Sequence, residues 1–150
     1  MKLRYKIAGG FVTLMVLGIS ILAVTLSHNS ACPPAASPAD YDDPMQAVVY
    51  RCYGSPEVLQ YEVIEKPVPA ENEVLVKIKA AGVNPLDWHY MRGSPYIMRL
   101  GTGIGAPKET RLGVDFAGTV EAVGENVKQF KPGDDVFGGG AGAFAEYVTV

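Results

Sequence analysis

The sequence predicts a mainly β domain of the α+β class, a small antiparallel barrel or sandwich with short helical content, behind one transmembrane helix. Three observations carry this. An uncharged apolar run of helix-spanning length opens the chain, and short β-rich runs punctuated by turn residues fill the second two thirds. Between them lies a stretch with little to bury. The 17 Gly and 11 Pro residues, set against few long helical patterns, argue for many turns.

The elements follow in order. Residues 1–6 form a basic tail holding Lys2, Arg4 and Lys6. Ile7 to Leu26 (IAGGFVTLMVLGISILAVTL) has no charge, Pro, Asn or Gln. As a helix it covers ~30 Å, the thickness of the hydrocarbon core. Eleven of its residues are Leu, Ile, Val or Phe, each favouring insertion by roughly 0.3–0.6 kcal/mol near the helix centre. A buried core helix would be shorter and would show a polar face. The expected placement is therefore a single-pass membrane protein in contact with lipid. The run exceeds the ~7–15 residues of a signal peptide, which favours an uncleaved anchor, although Ser30-Ala31-Cys32 faintly resembles a lipoprotein cleavage site. The basic tail places the N-terminus in the cytoplasm, which conflicts with any cofactor concentrated there; the side on which the domain lies stays open.

Residues 27–44 (SHNSACPPAASPADYDDP) read as an extended, mobile linker. The domain, 45–150, begins with the β-rich run Ala47 to Tyr53, then the turn-former Gly54-Ser55-Pro56 and a second strand from Leu59 to Glu65. From Glu73 to Val83, Val74, Val76, Ile78 and Ala80 alternate with Leu75, Lys77 and Lys79, a period of two with one mostly polar face. Asn84-Pro85-Leu86-Asp87 is a helix start with Asn at the N-cap, Pro at N1 and Asp at N3, and Gly93 suits the position just past a helix covering Pro85 to Arg92. Thr119 to Val123, Asp135 to Phe137 and Phe144 to Val150 supply three more strands, and Lys131-Pro132-Gly133-Asp134 a tight turn.

Charge and cysteine usage exclude several functions. The net charge is −3 with no Lys/Arg cluster in the domain, so nucleic acid is not an expected partner. Cys32 and Cys52 have no metal-ligand spacing around them, and His89 is the domain's single histidine. A disulfide between the two cysteines, and with it the redox compartment, stays open.

Read together, MQAVVYRCYGSPEVLQYEVIEKPVPAENEVLVKIKAAGVNPLDWHYMRG, LGVDFAGTVEAVGENV, FKPGDDVFG and GAFAEYVTV resemble the N-terminal GroES-like catalytic domain of the medium-chain dehydrogenase/reductase superfamily, and specifically its zinc-free quinone oxidoreductase branch. The resemblance covers Met45 to Val150 and implies a GroES-like, partly open β-barrel with short helices. Zinc-dependent relatives place Cys where this chain has Asn84 and Gly-His-Glu where it has Gly113-Val114-Asp115, so no zinc is expected. The implied activity is hydride transfer from NADPH or NADH to a quinone, an enone or a related carbonyl compound. The implied site residues are Asn84, beside nicotinamide and substrate, and Tyr96, lining the same pocket; Asp87 and Asp115 are pocket candidates. Each also has a plain role: capping for Asn84, packing for Tyr96, complementing a helix N-terminus for Asp87. Trp88, Tyr90 and Met91 are expected to pack the core. The Gly-rich stretch Ile97 to Leu112, with Arg99, Lys108, Glu109 and Arg111, is expected to form a loop at the cleft.

Two strings, Gly101 to Ala106 and Gly138 to Ala143, satisfy G-x-G-x-x-G/A. Pro107 follows the first and a strand-like run the second, so neither has the strand-to-helix context of a dinucleotide site. The family's nucleotide-binding domain would begin beyond Val150. The sequence is then either a fragment or a short form, expected to be inactive alone and to bind NADPH weakly or not at all. A membrane-anchored, non-catalytic binding module on the same barrel is the rival reading.

Overall fold

The computed structural model describes residues 2–34 and 41–150, with side chains described from Gly9 onward. The side chains of Lys2, Arg4 and Lys6, and the linker's Asp40, lie outside the described residues. Helix α1 runs Lys2–Ser27, and Gly9–Ser27 within it is long and apolar enough to cross a membrane. Its side chains from Phe11 to Val24 are exposed, whereas Leu26 in the last turn is 6% exposed.

The domain holds six strands, β1 Pro44–Val49, β2 Gln60–Glu65, β3 Val74–Gly82, β4 Asp115–Val123, β5 Asp135–Gly139 and β6 Tyr147–Thr149. β1 and β2 form an antiparallel pair, and the other four form an antiparallel sheet in the order β5-β4-β3-β6. Lone bridges, Ala47 to Ala145 and Val49 to Arg111, join β1 to the flanks of the larger sheet. The arrangement is therefore an open antiparallel GroES-like fold, unclosed as a barrel, behind one apolar helix.

Strand positions follow the alternation, with instructive shifts. β1 begins at Pro44, and the predicted run's second half leaves the sheet so that Tyr50, Cys52 and Tyr53 enter the core. In β3, which pairs with β4 on one edge and β6 on the other, the assumed polar face buries Leu75 at 4% exposure. β4 begins four residues before the predicted Thr119 and takes in Gly118, where a Cβ would collide with the Lys77 carbonyl of β3. β6 is shorter than predicted, since the chain from Phe144 bonds first to β1 through Val48 N to Phe144 O (2.7 Å).

Two clusters make the core. One packs Val74, Val76, Phe116, Val120, Ala143 and Val148 over the large sheet. The other packs Tyr50, Tyr53, Met91 and Leu112 under helix α2, Pro85–Arg92. Met91 packs as expected, but Trp88 is 47% exposed: α2 is eight residues long, and only one of its sides meets the core. A four-residue helix, α3 (Arg99–Thr102), follows a 3₁₀ turn at Tyr96–Met98; neither was legible in the sequence.

The linker does not lead straight away from the helix. Ser30 N donates to Gly105 O (2.9 Å), Asn29 bridges to Gly105, and Cys32 is joined to Cys52 with their Cα atoms 5.0 Å apart. Residues 28–32 are thus fastened to the domain, contrary to the mobile tether expected there. The cause is a set of long-range contacts that composition does not encode.

Candidate functional site

The start of α2 is a polar corner built by local chemistry. Asn84 has extended backbone (φ −136°, ψ 169°), and its Oδ1 accepts from Leu86 N at 2.8 Å. Asp87 Oδ2 accepts from Asn84 N at 2.8 Å, completing a capping box. At the other end Gly93 takes φ +57°; a Cβ there would come within 2.6 Å of the Tyr53 ring and 2.8 Å of Arg99 Nε, so glycine is required twice over. The remaining Asn84 donor, Nδ2, reaches Asp115 Oδ2 at 2.8 Å. Asp115 is the first residue of β4 and pairs with Gly139 in the β4–β5 ladder.

Asn84, Asp87 and Asp115 are therefore brought together, and Tyr96 stands apart. Asp87 is 3% exposed, and its Oδ1 has no hydrogen-bond partner among the described residues. Tyr96 is half exposed, with the Arg99 guanidinium 4.7 Å from its ring centre.

The main cavity, about 430 Å³, lies next to this corner and contains none of those four side chains in its lining. Tyr50, Tyr90, Leu112 and Val114 form its apolar wall, and Gly139, Gly140 and Ala141 another side. Val114 and Gly139 connect it to the corner through their neighbour and ladder partner Asp115. Thr102, Lys108, Glu109 and Arg111 supply its polar groups, so the stretch expected to form a cleft loop does reach the cavity. Tyr90, expected in the core, both packs there and lines the cavity. Sequence reading missed Tyr50, hidden inside an apolar strand-like run. It named Lys108, Glu109 and Arg111 only as loop charges.

The electrostatics of the cavity are set by one pair. Arg111 Nε donates to Glu109 Oε1 (2.9 Å) and Nη2 to Oε2 (3.1 Å), and Arg111 N adds a third bond at 2.9 Å. Burial alone would raise the Glu109 carboxyl, but Arg111's side-chain and backbone donors outweigh it and hold the group below its ordinary value. The same hydrogen bonding raises Arg111 against burial. Burial first, then the neighbouring Tyr53, Glu109 and Tyr90, push the Tyr50 phenol well above its ordinary value, so Tyr50 is neutral in the cavity wall. Lys108 is exposed and pairs with no carboxylate among the described residues.

Neither glycine-rich string fits a dinucleotide's phosphates. The first contains the end of α3 and leads to β4 with no helix between; the second runs from β5 toward β6. Among the described residues no helix begins at the end of either string, and that is the element such a site requires. Among the described residues no group of three or more His, Cys, Asp or Glu side chains is placed to hold a metal ion.

The family of the alcohol dehydrogenase GroES-like domain matches residues 70–150. A quinone oxidoreductase of Lama guanicoe is 40% identical over 110 residues, covering 69% of this chain and 30% of the relative. A 2-methylene-furan-3-one reductase of Solanum lycopersicum is 36% identical over 120 residues, covering 78% of this chain and 29% of its own length. Among solved structures, an Escherichia coli quinone oxidoreductase complexed with NADPH aligns with a TM-score of 0.58 at 31% identity, covering 70% of this chain and 30% of that one. The chain thus spans about 30% of the length of these relatives.

Proposed function

The chain belongs to the alcohol dehydrogenase GroES-like domain family, within the quinone-oxidoreductase-like superfamily, and from that premise we propose that it is the substrate-side domain of a membrane-tethered, zinc-independent NAD(P)H oxidoreductase acting on quinones, enones or related carbonyl compounds. The observation that carries the reading is the apolar 430 Å³ cavity with cationic groups among its lining and the Asn84–Asp115 corner beside it. A planar, weakly polar acceptor suits such walls. A reduced nicotinamide, where bound, supplies the hydride. Neither glycine-rich string leads into a helix, which supports a reading in which a separate nucleotide-binding domain holds the rest of that cofactor.

The residues of this chain bind and orient the acceptor. Tyr50, Tyr90, Leu112 and Val114 exclude water from its ring. Lys108, unpaired among the described residues, and the Arg111 guanidinium support negative charge developing on the acceptor oxygen. Asn84, fixed by its own cap, offers its amide at the cavity's edge, and Asp115 orients that amide through Nδ2. Asn84 occupies the position where zinc-dependent relatives carry a ligand, and its amide is already engaged in a cap, which supports metal-free chemistry.

The test is made on the protein isolated from its native membrane, with NADPH or NADH and 1,4-benzoquinone or an enone. The expected result is acceptor-dependent loss of nicotinamide absorbance that resists a zinc chelator. A purified protein that consumes no nicotinamide with any of these acceptors, or that stops when zinc is removed, overturns the reading.

A further inference from the structure

We propose that the segment Tyr96–Ile104 docks on the lipid surface, so that the domain lies against the bilayer instead of swinging on a linker. The inference rests on α1 crossing the membrane, and three features of the molecule lead from there to the lipid.

First, the span's last turn is part of the domain. Of residues 9–27 only Leu26 is buried, and α1 makes its contacts with the Tyr96–Met98 turn. Ser27 ends the candidate span, so whatever covers Leu26 lies level with the edge of the hydrocarbon. Second, the junction is clamped. Arg99, 1% exposed, donates from Nη1 to Leu26 O (2.9 Å) and His28 O (2.8 Å), and from Nε to Gly93 O (2.8 Å). Its guanidinium stacks between Tyr53 and Tyr96, 4.4 and 4.7 Å from the ring centres. The bond from Ser30 N to Gly105 O then fixes the residue next to the segment's far end, three residues past the helix. Third, the segment is apolar where it faces outward. Ile97, Leu100 and Ile104 are 60%, 53% and 53% exposed. From Gly93 to Pro107 there is no acidic residue, and the one cation, Arg99, is turned inward. Three large aliphatic side chains, with no charge to desolvate, thus project beside the point where a membrane helix leaves the bilayer. That is the composition of an interfacial segment, and it is continuous with the lipid-facing surface of α1.

The test uses the full chain in phosphatidylcholine vesicles with or without bromine on the acyl chains. Trp88, the single tryptophan, is replaced by Phe, and one new indole is introduced by Ile97→Trp, Leu100→Trp or Ile104→Trp. Phe11→Trp reports the span, and Phe137→Trp, on the exposed strand β5, reports the aqueous side. The expected result is that the three segment variants are quenched by bromolipid, less than the Phe11→Trp variant in the span, because an interfacial segment sits at the headgroup and acyl boundary, while the Phe137→Trp variant loses none and is quenched by acrylamide. Segment variants quenched no more by bromolipid than the Phe137→Trp variant, in vesicles where the Phe11→Trp variant is strongly quenched, overturn docking and leave the span intact. Shielding of the segment from both quenchers overturns it in favour of a protein occupant. An unquenched Phe11→Trp variant removes the span and the docking together.

Discussion

The N-terminus of α2 is closed from within its own first turn, whereas the C-terminus of α1 is closed by an arginine 73 positions away. Both ends pose the same physical problem, since a helix leaves backbone groups unpaired at each terminus. At α2 the answer is Asn84 and Asp87, three residues apart, each satisfying the other's surroundings. At α1 the answer is Arg99, whose guanidinium serves the carbonyls of Leu26 and His28 together with that of Gly93. The local closure steadies one short helix. The distant closure ties the end of the apolar helix and His28 to the domain.

That difference fixes where the molecule is most sensitive. Arg99→Ala leaves several buried carbonyls without a donor and opens a void between Tyr53 and Tyr96, which together cost at least about 3 kcal/mol. For a domain near 100 residues this lowers Tm by on the order of 12 °C. Arg99→Lys should recover little, because one ammonium cannot span the same carbonyls in the plane of two rings. Thermal unfolding of the full chain in nanodiscs measures both, and melting within about 2 °C of the parent by Arg99→Ala would refute the clamp.

The second fastening of the same exit is covalent. Cys32 and Cys52 close a loop 20 positions long, worth about 3 kcal/mol in the chain-entropy picture. The double variant Cys32→Ser/Cys52→Ser should therefore destabilise the domain by somewhat less than Arg99→Ala, since native contacts still hold residues 28–30. Alkylation before reduction should add no mass, and alkylation after reduction should add two labels. Two labels before reduction would mean that the junction is held by the Arg99 clamp and the Ser30–Gly105 bond without a covalent link.

How much of this was legible in the sequence follows the same division. The capping box, the glycine after α2 and the Lys131–Asp134 turn are set by residues within a few positions of each other, and the structure shows them at those positions. The β3 strand also forms where expected, but Val74, Leu75 and Val76 are all buried, so the alternation of its faces is not kept. Arg99 looked like a loop charge among four, because its partners lie on α1, on the linker and on the second cluster. Tyr50 looked like strand filling, because its place in the cavity wall depends on the chain leaving β1 after Val49. Among the site candidates, Asn84 and Asp115 meet through a contact 31 positions long; the family resemblance named each of them, but neither it nor the spacing gave the contact. The resemblance implies a pocket place for Tyr96; in the structure its ring lies against the Arg99 guanidinium and outside the cavity lining.

A smaller effect separates the two duties of Asn84. Asn84→Ala removes the cap and should cost about 1 kcal/mol. Asn84→Ser keeps an oxygen for Leu86 N but has no amide for Asp115, so its stability should stay within about 0.5 kcal/mol of the parent. If the amide also serves the acceptor, kcat/KM of the native-length protein should fall by about tenfold in Asn84→Ser, equivalent to one good hydrogen bond. Equal kcat/KM in parent and Asn84→Ser would reduce Asn84 to a cap.

The smallest expected effect lies in the cavity's ion pair, and its sign can be worked out. Glu109 is held below its ordinary value of 4.5 in the folded domain by Arg111's donors. The ionised carboxylate therefore stabilises the fold above pH 4.5, and that stabilisation is lost as pH falls below 4.5 through the folded value. The Glu109 side chain is 43% exposed, so solvent screening limits the contribution to a few tenths of a kcal/mol. Glu109→Gln should flatten the acid limb of a Tm-against-pH curve slightly and leave the neutral plateau almost unchanged. Arg111→Gln should do the same if the pair acts as a unit, and the double variant should add nothing further. An acid sensitivity in Arg111→Gln equal to the parent's would instead mean that Glu109 keeps its low value through the backbone donors at Thr110 and Arg111.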